Sequence, residues 1–294
     1  MDQAEKLRNI VKAQEVSMNS SARLITVTSG KGGVGKSSVS VNLAVQFQKM
    51  GYRVIIFDAD FGLANVEVMF GAIPKYNLSD VIFHGKQIED IVVDGPMDIK
   101  FVSGGSGISE LSNLTKDNVR YLAARLARLE KMADIIIVDT GAGISDAVLE
   151  FVKASREVLL VTTPEPTSIT DSYALLKALA KSRDYDNEKT VINVVSNKVD
   201  NREEGKLVFS KLTLVAEKFL NMKLRFLGYI PNDSNVTKAV MQQKPVSMVY
   251  ENSKASVSFK HLAESLIKED SEEARGKIGI AQVFLNIFRA KSGK

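Results

Sequence analysis

A glycine-rich segment near the start of the chain carries lysine and serine side chains at a spacing suited to phosphate binding. It reads Gly30-Lys31-Gly32-Gly33-Val34-Gly35-Lys36-Ser37-Ser38 and matches the pattern GxxxxGK[ST]. Glycines let successive backbone N–H groups turn towards an anion, and a helix that follows adds the positive end of its dipole. In this pattern Lys36 contacts the β- and γ-phosphates of a nucleotide, and Ser37 binds Mg²⁺. We therefore expect the run from Gly30 to Ser38 to bind a nucleotide.

Acidic residues stand where two apolar segments end. Asp58 and Asp60 close the run that starts at Val54, and Asp139 closes the run that starts at Ile135. Ligands of open α/β sheets bind beyond the carboxyl ends of the strands, so carboxylates placed there suit Mg²⁺ and water. We expect Asp139 to lie near Mg²⁺, and Asp58 and Asp60 to hold the metal shell and orient water.

Short β-branched runs alternate with longer helical patterns around these motifs. Several runs, such as Ile135–Asp139, are apolar without alternation, which is typical of strands covered on both faces. The pattern predicts a doubly wound α/β fold with a mostly parallel sheet of about seven or eight strands. The predicted strands are Leu24–Thr28, Val54–Asp58, Ile99–Val102, Ile135–Asp139, Val158–Thr162, Val191–Ser196 and Phe226–Ile230. The predicted helices are Lys36–Met50, Lys116–Met132, Ser168–Ser182, Glu203–Leu220 and Ser253–Ile267.

Composition excludes several classes of protein. The 294 residues include no cysteine and two histidines, which excludes disulfides, thiolate zinc sites and iron–sulfur clusters. No apolar run approaches the ~20 residues of a membrane span. Five basic residues and no acidic one lie in 275–294, so the net charge of +4 becomes −1 when they are left out. A near-neutral body argues against general binding of nucleic acid.

The second lysine of the phosphate loop, Lys31, resembles the signature of the deviant Walker ATPases, the MinD/ParA family, whose pattern is KGGxGK[ST]. The resemblance implies a P-loop NTPase fold, ATP and Mg²⁺ as ligands, and a homodimer in which Lys31 crosses to the γ-phosphate held by the other subunit. It implies catalytic roles for Lys31, Lys36 and Asp60, with Asp60 polarising the attacking water. Turnover is expected to be slow, as in switch NTPases without their activators. The metal ligands that it implies are Ser37, Asp58 and Asp139.

Two segments late in the chain bear on the nucleotide base. The run Asn197-Lys198-Val199-Asp200 has the NKxD pattern, which alone would suggest guanine, as in small GTPases. In the MinD/ParA family an asparagine after the equivalent strand meets adenine, and a backbone carbonyl near a proline accepts from N6. The resemblance thus assigns adenine to Asn197, Pro231 and Asp233. Glu165-Pro166-Thr167 resembles the family's PEPTS segment near the dimer face.

The C-terminal segment Lys277–Ala290 predicts an amphipathic helix flanked by basic residues. Such a helix fits the surface of an anionic membrane, and two copies on a dimer add avidity. A terminal helix packed on the body is the alternative, and a helix docked without ATP and released with it combines the two. The residues expected to enter the membrane are Ile280, Phe284, Leu285, Ile287 and Phe288.

The N-terminal segment Asp2–Val16 also predicts an amphipathic helix. It resembles the DQAxxLR activator helix of the FlhG-type branch, which stimulates FlhF, a signal-recognition-type GTPase. By that resemblance Gln3 acts near the partner's nucleotide, and Leu7 and Arg8 supply contacts. The alternative is a disordered extension whose amphipathic pattern is accidental.

The chain is therefore predicted to have three parts: an activator helix and linker in 1–22, an ATPase domain in 23–267, and a linker with a membrane helix in 268–294. The resemblance implies a cytoplasmic protein, peripheral at the inner face of the membrane, that regulates flagellar number and placement. Its implied partners are an FlhF-type GTPase and flagellar switch-complex proteins. A MinD-like division-site regulator and a ParA-type DNA-partitioning ATPase are the alternatives. No helix-turn-helix module is visible, and nucleic acid is not expected among the partners.

Overall fold

The computed structural model describes residues 22–60, 65–105, 116–182, 185–187, 189–268 and 279–292. Within them a single sheet runs through the molecule. Its strands are β1 (Arg23–Ser29), β2 (Val54–Ala59), β3 (Val92–Asp94), β4 (Lys100–Ser103), β5 (Ile135–Ala142), β6 (Glu157–Thr162), β7 (Val191–Val199) and β8 (Arg225–Pro231). They lie in the order β3-β4-β2-β5-β1-β6-β7-β8. All neighbours are parallel except β3 and β4, which are antiparallel. The predicted doubly wound fold is confirmed.

Helices cover both faces of this sheet, because each central strand is apolar on both sides. In β1, Ile25 and Val27 belong to one buried cluster, and Leu24 belongs to another on the opposite face. The helices in chain order are α1 (Lys36–Lys49), α2 (Asn65–Phe70), α3 (Leu78–Phe83), α4 (Ile88–Ile91), α5 (Lys116–Leu126), α6 (Leu129–Met132), α7 (Asp146–Ala154), α8 (Pro166–Lys181), α9 (Arg202–Leu220), α10 (Ser234–Met241), α11 (Val246–Val249), α12 (Lys254–Lys268) and α13 (Ile280–Ser292). Helices α1 and α12 pack on the first cluster, and α5 and α13 pack on the second.

The sequence prediction was wrong for several short elements. Strand β3 was missed because it has three residues, lies at the sheet edge and is only partly buried. The helix predicted over Lys116–Met132 is interrupted, since α5 ends at Leu126 and α6 starts at Leu129. Segments of this length carry too few residues for a helical or strand period to stand out.

The C-terminal helix α13 packs on the body of the protein. Ile280, Phe284 and Ile287 are buried, and Leu285 is partly buried against the same cluster. The ring of Phe284 meets the ring of Phe57 edge-on at 5.5 Å between centroids. The body covers the apolar face in this conformation, as in the docked alternative, and entry of that face into a membrane stays a prediction. The side chain of Phe288 lies outside the described residues.

The N-terminal segment predicted as an activator helix, with Gln3, Leu7 and Arg8, also lies outside the described residues. Among the described helices, none has the length and apolar character needed to cross a membrane.

Candidate functional site

The phosphate-binding motif forms the turn between β1 and α1, as the sequence predicts. Gly33 and Gly35 have φ angles of +74° and +99°, in the left-handed region that favours glycine. Gly30 is required for another reason: a Cβ there would stand 2.1 Å from the backbone carbonyl carbon of Asp171 in α8. The loop is thus pressed against α8 at one end. The turn comprises Gly30, Lys31, Gly32, Gly33, Val34 and Gly35, and the motif continues into α1 with Lys36, Ser37 and Ser38.

Lys36 opens α1 and is almost fully buried. Burial lowers the pKa of its ammonium group, and the nearby carboxylates of Asp139 and Asp60 oppose that effect. Asp139 lies in β5 directly beside Asp58 of the adjacent parallel strand β2. The structure therefore gathers one lysine and three carboxylates at the carboxyl edge of the central strands.

The two neighbouring carboxylates fit a bound cation. Burial raises the pKa of Asp58 to about 8, and the charge of Asp139 adds to the rise. Burial also raises the pKa of Asp139 to about 6, although the Ser37 hydroxyl, Lys36 and Ser40 lower it. Ser40 Oγ donates to Asp139 Oδ1 at 3.1 Å, whereas Asp139 Oδ2 is buried and accepts no hydrogen bond in the described structure. An unpartnered buried carboxylate oxygen beside a serine hydroxyl is a donor set that Mg²⁺ accepts.

Asp58 lies in β2, whereas Asp60 follows the strand. The oxygens of Asp58 accept the backbone N–H groups of Asp60 at 3.0 Å and Val66 at 3.3 Å, so this carboxylate holds the turn that leads to α2. Asp60 lies further out, and Asn65 Nδ2 donates to its Oδ2 at 3.3 Å. An added Cβ at Gly141 would stand 3.6 Å from Asp60 Oδ1, so the residue that follows β2 lies against the end of β5.

Lys31 contacts two side chains that lie far from it in sequence. Its Nζ donates to Glu165 Oε2 at 2.6 Å and to Thr167 Oγ1 at 2.8 Å. The contact with Lys31 holds the pKa of the Glu165 carboxyl below its usual range. Glu165 immediately precedes α8. The segment from Glu165 to Thr167, to which the sequence analysis gave no role, thus binds Lys31.

The predicted base-binding residues lie at the ends of β7 and β8. Asn197 Nδ2 donates to Val34 O at 2.7 Å, and Lys198 Nζ donates to Gly33 O at 2.9 Å. Pro231 ends β8 beside them. The side chain of Asp233 caps α10 through Asn235 N at 2.9 Å and also accepts from Ala255 N at 3.1 Å. Both carboxylate oxygens of Asp233 therefore accept hydrogen bonds at helix ends, and its contact with a base stays a prediction.

Ser40, Lys198 and the paired Glu165 and Thr167 are site residues whose roles the sequence reasoning missed. Ser40 lies one helical turn after Lys36, a spacing that gives a weak sequence signal. Lys198 and Glu165 lie far from the loop in sequence, and only the strand order brings them to it.

Comparison with known proteins gives three kinds of match. The profile of the ParA family, described as "NUBPL iron-transfer P-loop NTPase", matches residues 20–267. The antiactivator FleN of Pseudomonas aeruginosa is 42% identical over 244 residues, covering 83% of this chain and 86% of FleN. The flagellum site-determining protein YlxH of Helicobacter pylori is 32% identical over 273 residues, covering 91% of each chain. The crystal structure of the cell division ATPase MinD from Pyrococcus furiosus has a TM-score of 0.66 and 24% identity, covering 84% of this chain and 99% of that one.

Proposed function

We propose that this chain, which belongs to the ParA family of P-loop NTPases and is an ATPase, regulates the number and placement of flagella. The observation that carries the proposal is the 42% identity with the antiactivator FleN over 83% of the chain. The match with the flagellum site-determining protein YlxH, over 91% of each chain, supports it. Iron transfer is not part of the proposal, because the chain has no cysteine to hold a cluster.

Hydrolysis of ATP is assigned to the carboxyl edge of the central strands. The loop N–H groups and the buried Lys36 would bind the β- and γ-phosphates, and Ser37, Asp58 and Asp139 would hold Mg²⁺. When bound, Mg²⁺ neutralises negative charge on the phosphate oxygens. Asp60 orients the attacking water and accepts its proton. Catalysis here is positioning and charge stabilisation, which fits a site with few reactive side chains.

Dimerisation is assigned to Lys31. A second subunit's γ-phosphate is a stronger partner for its ammonium group than the exposed Glu165, because a triphosphate carries more charge. ATP would therefore draw the Lys31 side chain away from Glu165 and across the subunit interface, where its charge stabilises the transferring phosphoryl group. ADP lacks the γ-phosphate, so its complex is expected to stay a monomer.

Membrane attachment is assigned to release of α13. The docked helix is held by its apolar face and by Glu130, a buried carboxylate whose Oε1 accepts Ala281 N at 3.2 Å. A Cβ at Gly279 would stand 2.0 Å from that oxygen, so a larger residue there would displace the Glu130 carboxylate. We infer that the docked form is the resting state and that the ATP-bound dimer presents two helices to an anionic surface.

Action on a partner GTPase is assigned to the N-terminal segment, with Gln3, Leu7 and Arg8 as its contact residues. The test is GTP hydrolysis by an FlhF-type GTPase with and without a synthetic peptide of residues 2–16. Stimulation that is lost in the Gln3→Ala peptide supports the assignment. No stimulation favours a MinD-like division-site regulator with the same ATPase.

The flagellar function is tested by expressing this chain in Pseudomonas aeruginosa that lacks FleN. We expect wild-type flagellar number to return, and a Lys36→Ala variant, which cannot bind ATP, to leave the defect. Disturbed cell division with unchanged flagella would contradict the proposal. Sedimentation with liposomes and with DNA, each with ATP, separates the ParA-type alternative, which binds DNA even when residues 277–294 are deleted.

A further inference from the structure

Lys198 lies where the pairing of β7 with β8 becomes irregular. Asn197 and Val199 pair with the consecutive residues Ile230 and Pro231, so Lys198 is an extra residue, which makes a β-bulge. Its φ of +56° lies in the left-handed region, which a lysine adopts only at an energetic cost. Strained backbone of this kind persists where the surrounding structure holds it, and it concentrates at functional sites.

The bulge brings two side-chain donors to two consecutive carbonyl groups of the phosphate loop. Lys198 Nζ donates to Gly33 O at 2.9 Å, and Asn197 Nδ2 donates to Val34 O at 2.7 Å. The two donors are linked, because Asn197 Oδ1 accepts the backbone N–H of Lys198 at 2.9 Å. The packing is close, since a Cβ at Gly35 would stand 2.4 Å from Asn197 Nδ2.

These contacts fix the direction of the loop's peptide groups. In a trans peptide the N–H points opposite to the C=O of the same plane. A donor that holds the Gly33 carbonyl therefore turns the N–H of Val34 the other way, and one that holds the Val34 carbonyl turns the N–H of Gly35. Inward-facing N–H groups are what a phosphate loop needs to bind its anion.

We propose that Lys198 is a positioning residue that presets the phosphate loop for the phosphates of the nucleotide. Its contact with Gly33 joins two groups of the protein and needs no atom of the nucleotide. It acts through the backbone of the loop and does not touch the transferring phosphoryl group. Its effect is therefore on affinity for any nucleotide that uses the loop, ADP included.

The test is calorimetric titration of Lys198→Gly with Mg-ADP, which requires neither hydrolysis nor dimerisation. We expect the dissociation constant to rise about fivefold, as for the loss of an average hydrogen bond, because this bond is exposed to water. The melting temperature of the nucleotide-free variant should not fall, because glycine adopts the left-handed conformation without strain. In steady-state ATP hydrolysis the KM rises and kcat stays within about twofold.

Two further variants complete the test. Lys198→Met keeps the apolar stem and loses the donor, and we expect it to lose the same affinity. Lys211→Ala removes an exposed positive charge on α9 and should bind ADP like the wild type. Wild-type affinity in Lys198→Gly or Lys198→Met would overturn the proposal. A lowered melting temperature in Lys198→Gly, or a fall in kcat with unchanged affinity, would overturn it as well.

Discussion

At the scale of single residues, the decisive contact is the one that Lys31 makes within its own chain. Glu165 and Thr167 hold its ammonium group on the surface, 2.6 and 2.8 Å away. A lysine that is to serve another subunit must first leave these partners. Under the proposed crossing of Lys31 to a second subunit, this contact opposes dimerisation.

Replacing Glu165 by glutamine removes the charge that holds Lys31 and keeps the shape of the side chain. We expect Glu165→Gln to form ATP-dependent dimers at lower protein concentration than the wild type. Sedimentation velocity with ATP over a concentration series measures this, and the same series with ADP is the control. Dimerisation that is unchanged or weaker in the variant would show that the contact does not restrain Lys31.

Asp60→Ala tests the assignment of the water-orienting carboxylate. We expect hydrolysis to fall by about 100-fold or more, the usual effect of losing a general base. ATP binding should remain, so the variant accumulates as a dimer in the ultracentrifuge, whereas Lys36→Ala stays a monomer. Wild-type hydrolysis would contradict the role of Asp60. A monomer with ATP bound would contradict the crossing of Lys31.

At the scale of secondary-structure elements, the docking of α13 joins an apolar contact with a polar one. The edge-on ring contacts of Phe284 with Phe57 and Phe151, at 5.5 and 5.6 Å between centroids, hold the middle of the helix. Glu130 accepts from its first turn, where a carboxylate also meets the positive end of the helix dipole. Either contact can be weakened separately.

Weakening the polar contact should loosen the helix. Because the chain has no native cysteine, Val283→Cys adds a unique thiol at a buried position of α13. We expect Glu130→Ala in that background to raise the rate of maleimide labelling about tenfold, as for the loss of a buried acceptor. Gly279→Ala should act in the same direction, and Glu203→Ala, exposed on α9, serves as the control. Labelling of Glu130→Ala at the control rate would contradict the role of this carboxylate.

The sequence predicts long elements and local motifs better than distant contacts. The β-branched run of β5 and the loop from Gly30 to Ser38 can each be recognised from a few consecutive residues. The bond of Lys198 to Gly33 spans 165 positions, and that of Ala281 to Glu130 spans 151. Such contacts depend on strand order and helix docking, which no local pattern records. For the same reason the sequence indicates an amphipathic α13 without indicating what covers it.

At the scale of the whole molecule, one buried ion pair ties the sheet to a helix on its face. Arg23 in β1 donates twice to Glu157 in β6, at 2.8 Å each, and once to Leu266 O in α12 at 2.9 Å. Both side chains are at most 15% exposed. Arg53 makes a similar pair with Asp134, but its side chain is 60% exposed. Removing one partner of a buried pair leaves the other charge without compensation.

We expect Arg23→Met to lower the free energy of unfolding by about 3 kcal/mol. Arg53→Met is the matched control and should change the stability little, because water screens an exposed pair. Urea unfolding followed by circular dichroism measures both. Equal losses in the two variants would mean that burial does not decide the strength of these pairs.

The hydrophobic cluster beneath α13 also contains Ala22 and Leu24, the residues from which the chain continues back towards its first methionine. The start of β1 and α13 therefore lie on the same face of the sheet. If α13 binds a lipid bilayer as proposed, the N-terminal segment is brought to the same bilayer. A GTPase bound to that membrane would then meet the proposed activator segment at high local concentration. Binding of ATP would in this way control both membrane attachment and stimulation of the GTPase.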